Sequence, residues 1–356
     1  MIRATLEKRF APGPESAGFH LQVEIEAGPG VTVLYGPSGS GKTLTLDAIA
    51  GLTTPDAGRI MLDDRILFDA GARVNVPARL RTAGYVFQNY ALFPHMTVRE
   101  NLKFAAHALP RLERHRRITE QLERFRLTPM GGRYPHELSG GQKQRASIAR
   151  ALIANPRVVL LDEPARGLDP ELRADLYRLI EELRDSLRVP IFLVTHDLEE
   201  CLALAGNVLV YEAGRVVHRA SPTEVLRNPG TEAIARLLGG FNLHEAEVLA
   251  LDPARQTSRL RILGEEIDGP NLRGCFRGDR VRLCSRPEEL RLATSAGPNR
   301  IGAELKRSIE RPQFVRAEFA ENIAVDLPRE SWKKLQESAG RWWIEIPADS
   351  LRQIAR

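Results

Sequence analysis

Residues 36–43 read Gly36-Pro37-Ser38-Gly39-Ser40-Gly41-Lys42-Thr43 and fit G-x-x-x-x-G-K-[ST] at every fixed position. Gly36, Gly39 and Gly41 let the backbone turn tightly, with amide N–H groups pointing inward at an anion. Lys42 supplies a cation able to reach the β and γ phosphates of a nucleotide, and Thr43 a hydroxyl for Mg²⁺. Such a loop needs a strand before it and a helix after it. Val31-Thr32-Val33-Leu34-Tyr35 is β-branched and apolar, and residues 44–50 contain no Gly or Pro, so both are predicted. The stretch is expected to be a nucleotide site.

Four further stretches could do related chemistry. Leu138-Ser139-Gly140-Gly141-Gln142 precedes good helix formers over 143–154, which places Ser139 and the glycines where free amides can bind an anion. Val158-Val159-Leu160-Leu161 is a buried strand that runs into Asp162 and Glu163, and Pro164 ends it, so both carboxylates sit at its carboxyl end. A second apolar strand over 191–195 leads into His196-Asp197, and a strand over 83–88 ends in Gln88. Phe10 and Phe19 flank a Pro- and Gly-containing loop, and either ring could stack on a base. Phe10, following Lys8-Arg9, is preferred.

The elements that must position these groups read as two domains, a usual number for 356 residues. With 43% hydrophobic and 27% charged residues the composition is that of a globular protein. The apolar runs fall far short of the ~18 residues of a membrane span, and residues 1–9 carry no apolar signal core. The expectation is a soluble chain kept inside the cell. Cys201, Cys275 and Cys284 lack C-x-x-C spacing and cannot pair completely. Net charge is +5 with a pI near 9.3; the basic runs at 111–117 and 124–126 contain Glu113, Glu120 and Glu123 nearby and read as solvated helix faces.

Strands alternating with helices through the first two thirds predict a parallel sheet with ligands outside the strand carboxyl ends. Helical patterning over 97–128, interrupted at Pro110, marks a small helical lobe. Beyond Gly239-Gly240 long helical patterning almost disappears, and short strands are expected at 246–251, 259–263 and 280–284. Residues 280–290 can be laid over 341–351, each with an alternating apolar face and an acid two residues before a closing leucine, which suggests a tandem small β-barrel of OB-like size.

Taken together, residues 1–236 resemble the ATP-binding-cassette ATPases, through the loop at 36–43, Gln88, Leu138–Gln142, the Val158–Glu163 strand, Gly167-Leu168-Asp169 and His196. Ala165-Arg166 depart from that pattern, where small residues are common. The resemblance implies an α/β fold: a P-loop nucleotide-binding cassette over 1–236 with a helical subdomain at about 89–156, a linker at 237–243, and a small all-β, OB-like tandem transport-associated (TOBE) domain over 244–356. It implies ATP at Gly36, Pro37, Ser38, Gly39, Ser40, Gly41, Lys42 and Thr43, with Phe10 on the adenine. Thr43, Gln88 and Asp162 would hold Mg²⁺, Glu163 would orient and deprotonate the attacking water, and His196 would contact the γ-phosphate. Ser139, Gly140, Gly141, Gln142 and Asp169 would serve the ATP of a second, facing copy.

Residues 88–98 resemble the importer loop that meets a permease. The resemblance therefore implies a peripheral ATPase at the cytoplasmic face of the inner membrane, under two permease subunits and indirectly served by an extracytoplasmic binding protein. Residues 30–36 and 67–69 lean toward molybdate; Asn89-Tyr90-Ala91 is nearer the sulfate and polyamine wording, and iron and sugar importers share the domain plan. A non-transport cassette acting on nucleic acid is the rival reading. One cassette, no zinc-like cysteine array and no coiled-coil insertion count against it, so no nucleic-acid partner is expected.

Overall fold

The computed structural model describes residues 1–13, 18–272, 274–338 and 341–354. They divide into two compact units, Met1–Thr223 and Glu224–Arg356.

In the first unit, β1 (Ile2–Phe10) and β2 (Phe19–Ala27) form a hairpin in register from Ile2 opposite Ala27 to Phe10 opposite Phe19. Alternation of buried and exposed residues along both strands puts Ile2, Ala4, Leu6, Leu21, Val23 and Ile25 on the core face. Next come β3 (Gly30–Tyr35), the glycine-rich loop and α1 (Lys42–Ala50), followed by β4 (Ala57–Leu62), β5 (Arg65–Asp69) and β6 (Val74–Asn75). After β7 (Ala83–Val86) the chain makes α2 (Val98–Ala105), α3 (Arg111–Arg124) and α4 (Gly140–Leu152) before returning as β8 (Val158–Asp162). It continues through α5 (Pro170–Leu187), β9 (Pro190–Thr195), α6 (Leu198–Leu204), β10 (Asn207–Glu212) and β11 (Arg215–Ala220). An antiparallel sheet has the order β2-β1-β4-β5-β6, and a second sheet has the order β11-β10-β3-β9-β8-β7.

The second sheet is parallel from β10 to β7. All residues of β8 and β9 are buried, as strands covered on both faces must be. Tyr35 lies opposite Thr195, Asp162 opposite Val194 and Val86 opposite Leu161. That register brings the loops after four strands to one edge of the sheet, and every candidate group of the phosphate site follows from it.

Two side-chain devices fix the elements that carry the site. Arg81, fully buried, caps the last turn of α1: Nη1 donates to the carbonyls of Ala48 (2.7 Å) and Ile49 (3.1 Å), Nε to Val76 O and Nη2 to Asn75 Oδ1. A cation on the final carbonyls satisfies groups that a helix leaves open. Tyr90 and Ala91, in the loop after β7, take left-handed φ values of 63° and 48°. Ser147 Oγ donates to Tyr90 O (2.9 Å) and Arg150 Nη1 to Ala91 O (2.6 Å), so α4 holds this loop.

A short helix, α7 (Pro222–Arg227), runs through the division point. The second unit continues with α8 (Glu232–Leu238), β12 (Asn242–Asp252), β13 (Thr257–Ile262), β14 (Glu265–Pro270), β15 (Arg280–Ser285), β16 (Arg291–Ala293), β17 (Arg300–Ala303), β18 (Leu305–Glu310), β19 (Val315–Phe319) and β20 (Ala324–Leu327). A ten-residue helix, α9 (Arg329–Ser338), precedes β21 (Trp342–Glu345) and β22 (Arg352–Ile354). The sheets have orders β14-β13-β12-β15-β22, β16-β21-β17 and β18-β19-β20. Val248, Leu260, Leu283, Phe319, Val325 and Ile344 belong to one apolar core. Each of the two stretches aligned in the sequence runs strand, proline, one 3₁₀ turn, buried leucine, strand. Their strands pair reciprocally, β15 with β22 and β16 with β21. The helix α9 lies where the sequence shows only sparse apolar positions; Trp332, nearly buried, stacks on Trp342 with ring centroids 5.4 Å apart.

Candidate active site

The glycine loop packs closely enough that two of its glycines have no substitute. A Cβ on Gly36 would lie 2.3 Å from the Tyr211 carbonyl oxygen; one on Gly41, where φ is +100°, would lie 2.6 Å from Leu21 Cδ1. Lys42 is the first residue of α1 and is almost completely buried. Its Nζ donates to the carbonyls of Gly36 (2.9 Å) and Pro37 (2.7 Å), which folds the side chain back across the loop. Burial lowers its pKa, opposed by the nearby carboxylates of Glu163 and Asp162.

Thr43 Oγ1 donates to Asp162 Oδ1 at 3.0 Å, joining the loop to the end of β8. Burial pushes the Asp162 carboxyl up to about 6, with the Thr43 hydrogen bond acting in the other direction. Glu163 follows with φ of +46°, a conformation a non-glycine side chain rarely adopts, pinned by its amide donating to Val194 O at 3.0 Å. Its carboxylate gathers three donors: Gln88 Nε2 (2.9 Å) and Arg166 Nη1 (2.9 Å) on Oε2, and His196 Nδ1 3.2 Å from Oε1. Lys42, Thr43, Asp162, Glu163, Gln88 and His196 thus form one connected cluster, with a cavity of about 300 Å³ beside it.

That cavity is lined by Phe19, Ser38, Gly39, Gly41, Lys42, Thr43, Leu44, Glu163 and Val194. Its aromatic wall is Phe19. Phe10, the ring preferred from sequence, lies opposite Phe19 in the β1–β2 pair, is 46% exposed, has Lys8 over its face at 5.7 Å and is not among the lining residues. Both rings flank the same hairpin end, and only the strand register separates them, which a reading of residue types does not supply.

The second anion-binding candidate stands apart. Ser139 is the N-cap of α4: its Oγ accepts from the Gln142 amide (3.3 Å), and Gln142 Oε1 accepts from the Ser139 amide (3.0 Å). Gln142 therefore shapes the helix start, and its side-chain oxygen is already occupied. A Cβ on Gly141 would come within 2.8 Å of Leu172, so the glycine lets α4 sit against the beginning of α5. Ser139, Gly140, Gly141 and Gln142 do not line the phosphate-loop cavity. Asp169 caps α5, its Oδ1 accepting from the Leu172 amide at 2.9 Å.

Behind His196 lie two partly or fully buried ionisable groups, Asp197, whose capping role the sequence did not indicate, and Glu200, which was not singled out from sequence. Asp197 caps α6 and accepts from Arg173 Nη1 at 3.1 Å. Glu200, on the first turn of α6 and 2% exposed, is pushed by burial up to about 7. The only sequence cue is an acid-rich helix start, which by itself says nothing of burial.

A hard cation fits the Thr43–Asp162 pair: an alcohol and a carboxylate are oxygen donors of the kind Mg²⁺ takes alongside phosphate oxygens. Among the described residues no group of three or more His, Cys, Asp or Glu side chains could hold a metal without such help. Gln88 turns its amide nitrogen to Glu163.

The family model described as ABC transporter matches residues 20–166. The chain is 42% identical over 246 residues to the molybdenum import ATP-binding protein ModC of Paramagnetospirillum magneticum, covering 69% of this chain and 68% of the relative. It is 38% identical over 295 residues to the spermidine/putrescine import ATP-binding protein PotA of Vibrio cholerae, covering 82% of this chain and 76% of the relative. Among solved structures, a dimeric ATP-binding cassette in a post-hydrolysis state bound to ADP and Pi superposes with a TM-score of 0.54 at 28% identity, over 62% of this chain and 99% of the other. On these matches the chain belongs to the ABC transporter family, in its class of import ATP-binding subunits.

Proposed function

We propose that this chain is the ATPase of a membrane import complex and works as a homodimer beneath two permease subunits on the cytoplasmic side of the membrane, with molybdate the favoured cargo. No helix among the described residues is long and apolar enough to cross a membrane, so the solute path belongs to partner chains in this reading. The single observation that carries the mechanism is the separation within one chain. Lys42, Thr43, Asp162 and Glu163 form one cluster, while Ser139 and the signature glycines cap a different helix outside that cavity.

A γ-phosphate held by the loop amides and Lys42 then needs donors on its far side, and a facing copy presents them from the start of α4. Thr43 and Asp162 would hold Mg²⁺, which when bound neutralises charge on the β and γ phosphates. Glu163 orients the attacking water and takes its proton, Gln88 and His196 reach the same centre, and Phe19 offers a face for the base. Closure of two copies around ATP and their release after hydrolysis differ in free energy, and that difference is what shifts the permease.

The molybdate reading is supported by the ModC relative and by residues 30–36 and 67–69. The PotA relative and Asn89-Tyr90-Ala91 support polyamine or sulfate as the second reading. Uptake of labelled molybdate, sulfate and spermidine in cells carrying Glu163→Gln in place of the wild-type chain decides between them: loss of molybdate uptake alone is expected, and unchanged molybdate uptake with loss of spermidine uptake overturns the assignment.

A further inference from the structure

We propose that Arg166 is a latch on Glu163, a positioning residue that competes with the attacking water for the carboxylate and so slows turnover. The proposal rests on the reading of Glu163 as the base. Oxygen Oε2 of Glu163 accepts from Arg166 Nη1 and from Gln88 Nε2, both at 2.9 Å, which fills the two acceptor positions of that oxygen. The other oxygen faces His196 Nδ1 at 3.2 Å. Of the four acceptor positions of the carboxylate these donors fill three, both of those on Oε2 among them, so a water held by Oε2 must take over one of its positions, and Gln88 or Arg166 has to withdraw.

Gln88 and His196 stand at the ends of parallel strands, at the same sheet edge as the phosphate loop, and each has a second role to turn to there. Arg166 does not. Among the described residues Glu163 is its one ion-pair partner. The pair is also asymmetric. The Glu163 side chain is 16% exposed and its backbone is pinned to β9, whereas the Arg166 side chain is 61% exposed. The Arg166 amide also donates to Glu163 O at 3.2 Å, and this tight turn keeps the guanidinium within reach after it lets go. The mobile partner is therefore the arginine. A pair this exposed shifts an equilibrium by up to about fivefold, which makes the latch a brake and not a block.

The test is steady-state ATP hydrolysis by the full chain carrying Arg166→Ser or Arg166→Lys, with the affinity for a fluorescent ATP analogue measured on the same samples. Arg166→Ser should raise kcat about two- to fivefold while KM and analogue affinity stay at wild-type values, and Arg166→Lys, which keeps a cation, should stay near wild type. An unchanged or lower kcat in a Ser variant that binds the analogue normally overturns the latch, as does an equal gain in the Lys variant. Should the Ser variant fail to bind or fold, Arg166→Gln carries the same expectation. Glu163→Gln separates the two readings. If it abolishes turnover while Arg166→Ser equals wild type, only the latch falls; if it leaves turnover intact, the base assignment falls and the latch with it.

Discussion

In the proposed mechanism Glu163 concentrates the chemistry of this ATPase, and its surroundings explain how. The left-handed backbone at φ +46° aims the carboxylate back over the phosphate loop, and the register of β8 against β9 sets its height. Glu163→Gln keeps the shape of the side chain and one acceptor oxygen but cannot take a proton. Nucleotide affinity should persist while kcat falls by about 10²–10⁴, the usual worth of a general base; parallel titration with a fluorescent nucleotide and a phosphate-release assay check both halves. Lys42→Ala should do the reverse and weaken binding itself. That these residues come together at one cavity was legible because each sits in a motif at fixed spacing. Glu200 was not, because only the packed structure shows that α6 buries it. Its carboxyl has a folded value of about 7 against an ordinary 4.5, so the fold binds the proton more tightly than the unfolded chain does. Stability contributed by this group therefore falls as pH rises from 4.5 through 7, and the cost of burying the charge is complete above 7. Glu200→Gln should stabilise the protein by about 1–3 kcal/mol at pH 8 and hardly at all at pH 4.5, measured by urea unfolding at the two pH values.

At the scale of elements, strands and helices around the site were readable because buried parallel strands are uniformly apolar and helix starts carry caps. Val158–Asp162, Pro190–Thr195 and the Ser139 start of α4 are such cases. What the residue pattern did not carry is how elements are tied together through long side chains to backbone carbonyls. Arg81 is one tie: a buried guanidinium with four acceptors at 2.7–3.1 Å holds the end of α1, and Gly51 beside it has no room for a side chain, since a Cβ would lie 2.6 Å from Arg81 Nε. Arg81→Leu should cost about 2–4 kcal/mol, because the carbonyls of Ile49 and Val76 lose their guanidinium donor in a buried site and Ala48 O keeps only the Gly51 amide, and chemical denaturation should show it as a lower midpoint at unchanged slope. Ser147 and Arg150 tie the left-handed residues after Gln88 to α4 in the same manner. Through them the glutamine loop is hydrogen-bonded to the signature helix, a link between two motifs that sequence presents as separate.

For the whole molecule, the sequence indicates a parallel-sheet cassette followed by a β-rich region, and the fold has both. The alternation of strands and helices made the first legible. The second was visible only as short strands and a faint repeat, whose reciprocal pairing depends on contacts between residues some sixty positions apart; α9 went unread because its apolar stripe is as short as Trp332 and Leu335, packed with Trp342 of β21. Neither reading places the signature serine near its own phosphate loop, and the central claim follows from that: a catalytic centre is completed by the neighbour's Ser139. The direct measurement is ATP turnover against nucleotide affinity for Ser139→Arg in the full chain. Loss of a donor to the γ-phosphate, with a bulky cation in its place, should lower kcat by about 10²-fold or more while each subunit still binds a fluorescent ATP analogue at wild-type affinity. Turnover at the wild-type rate in that variant would contradict the account.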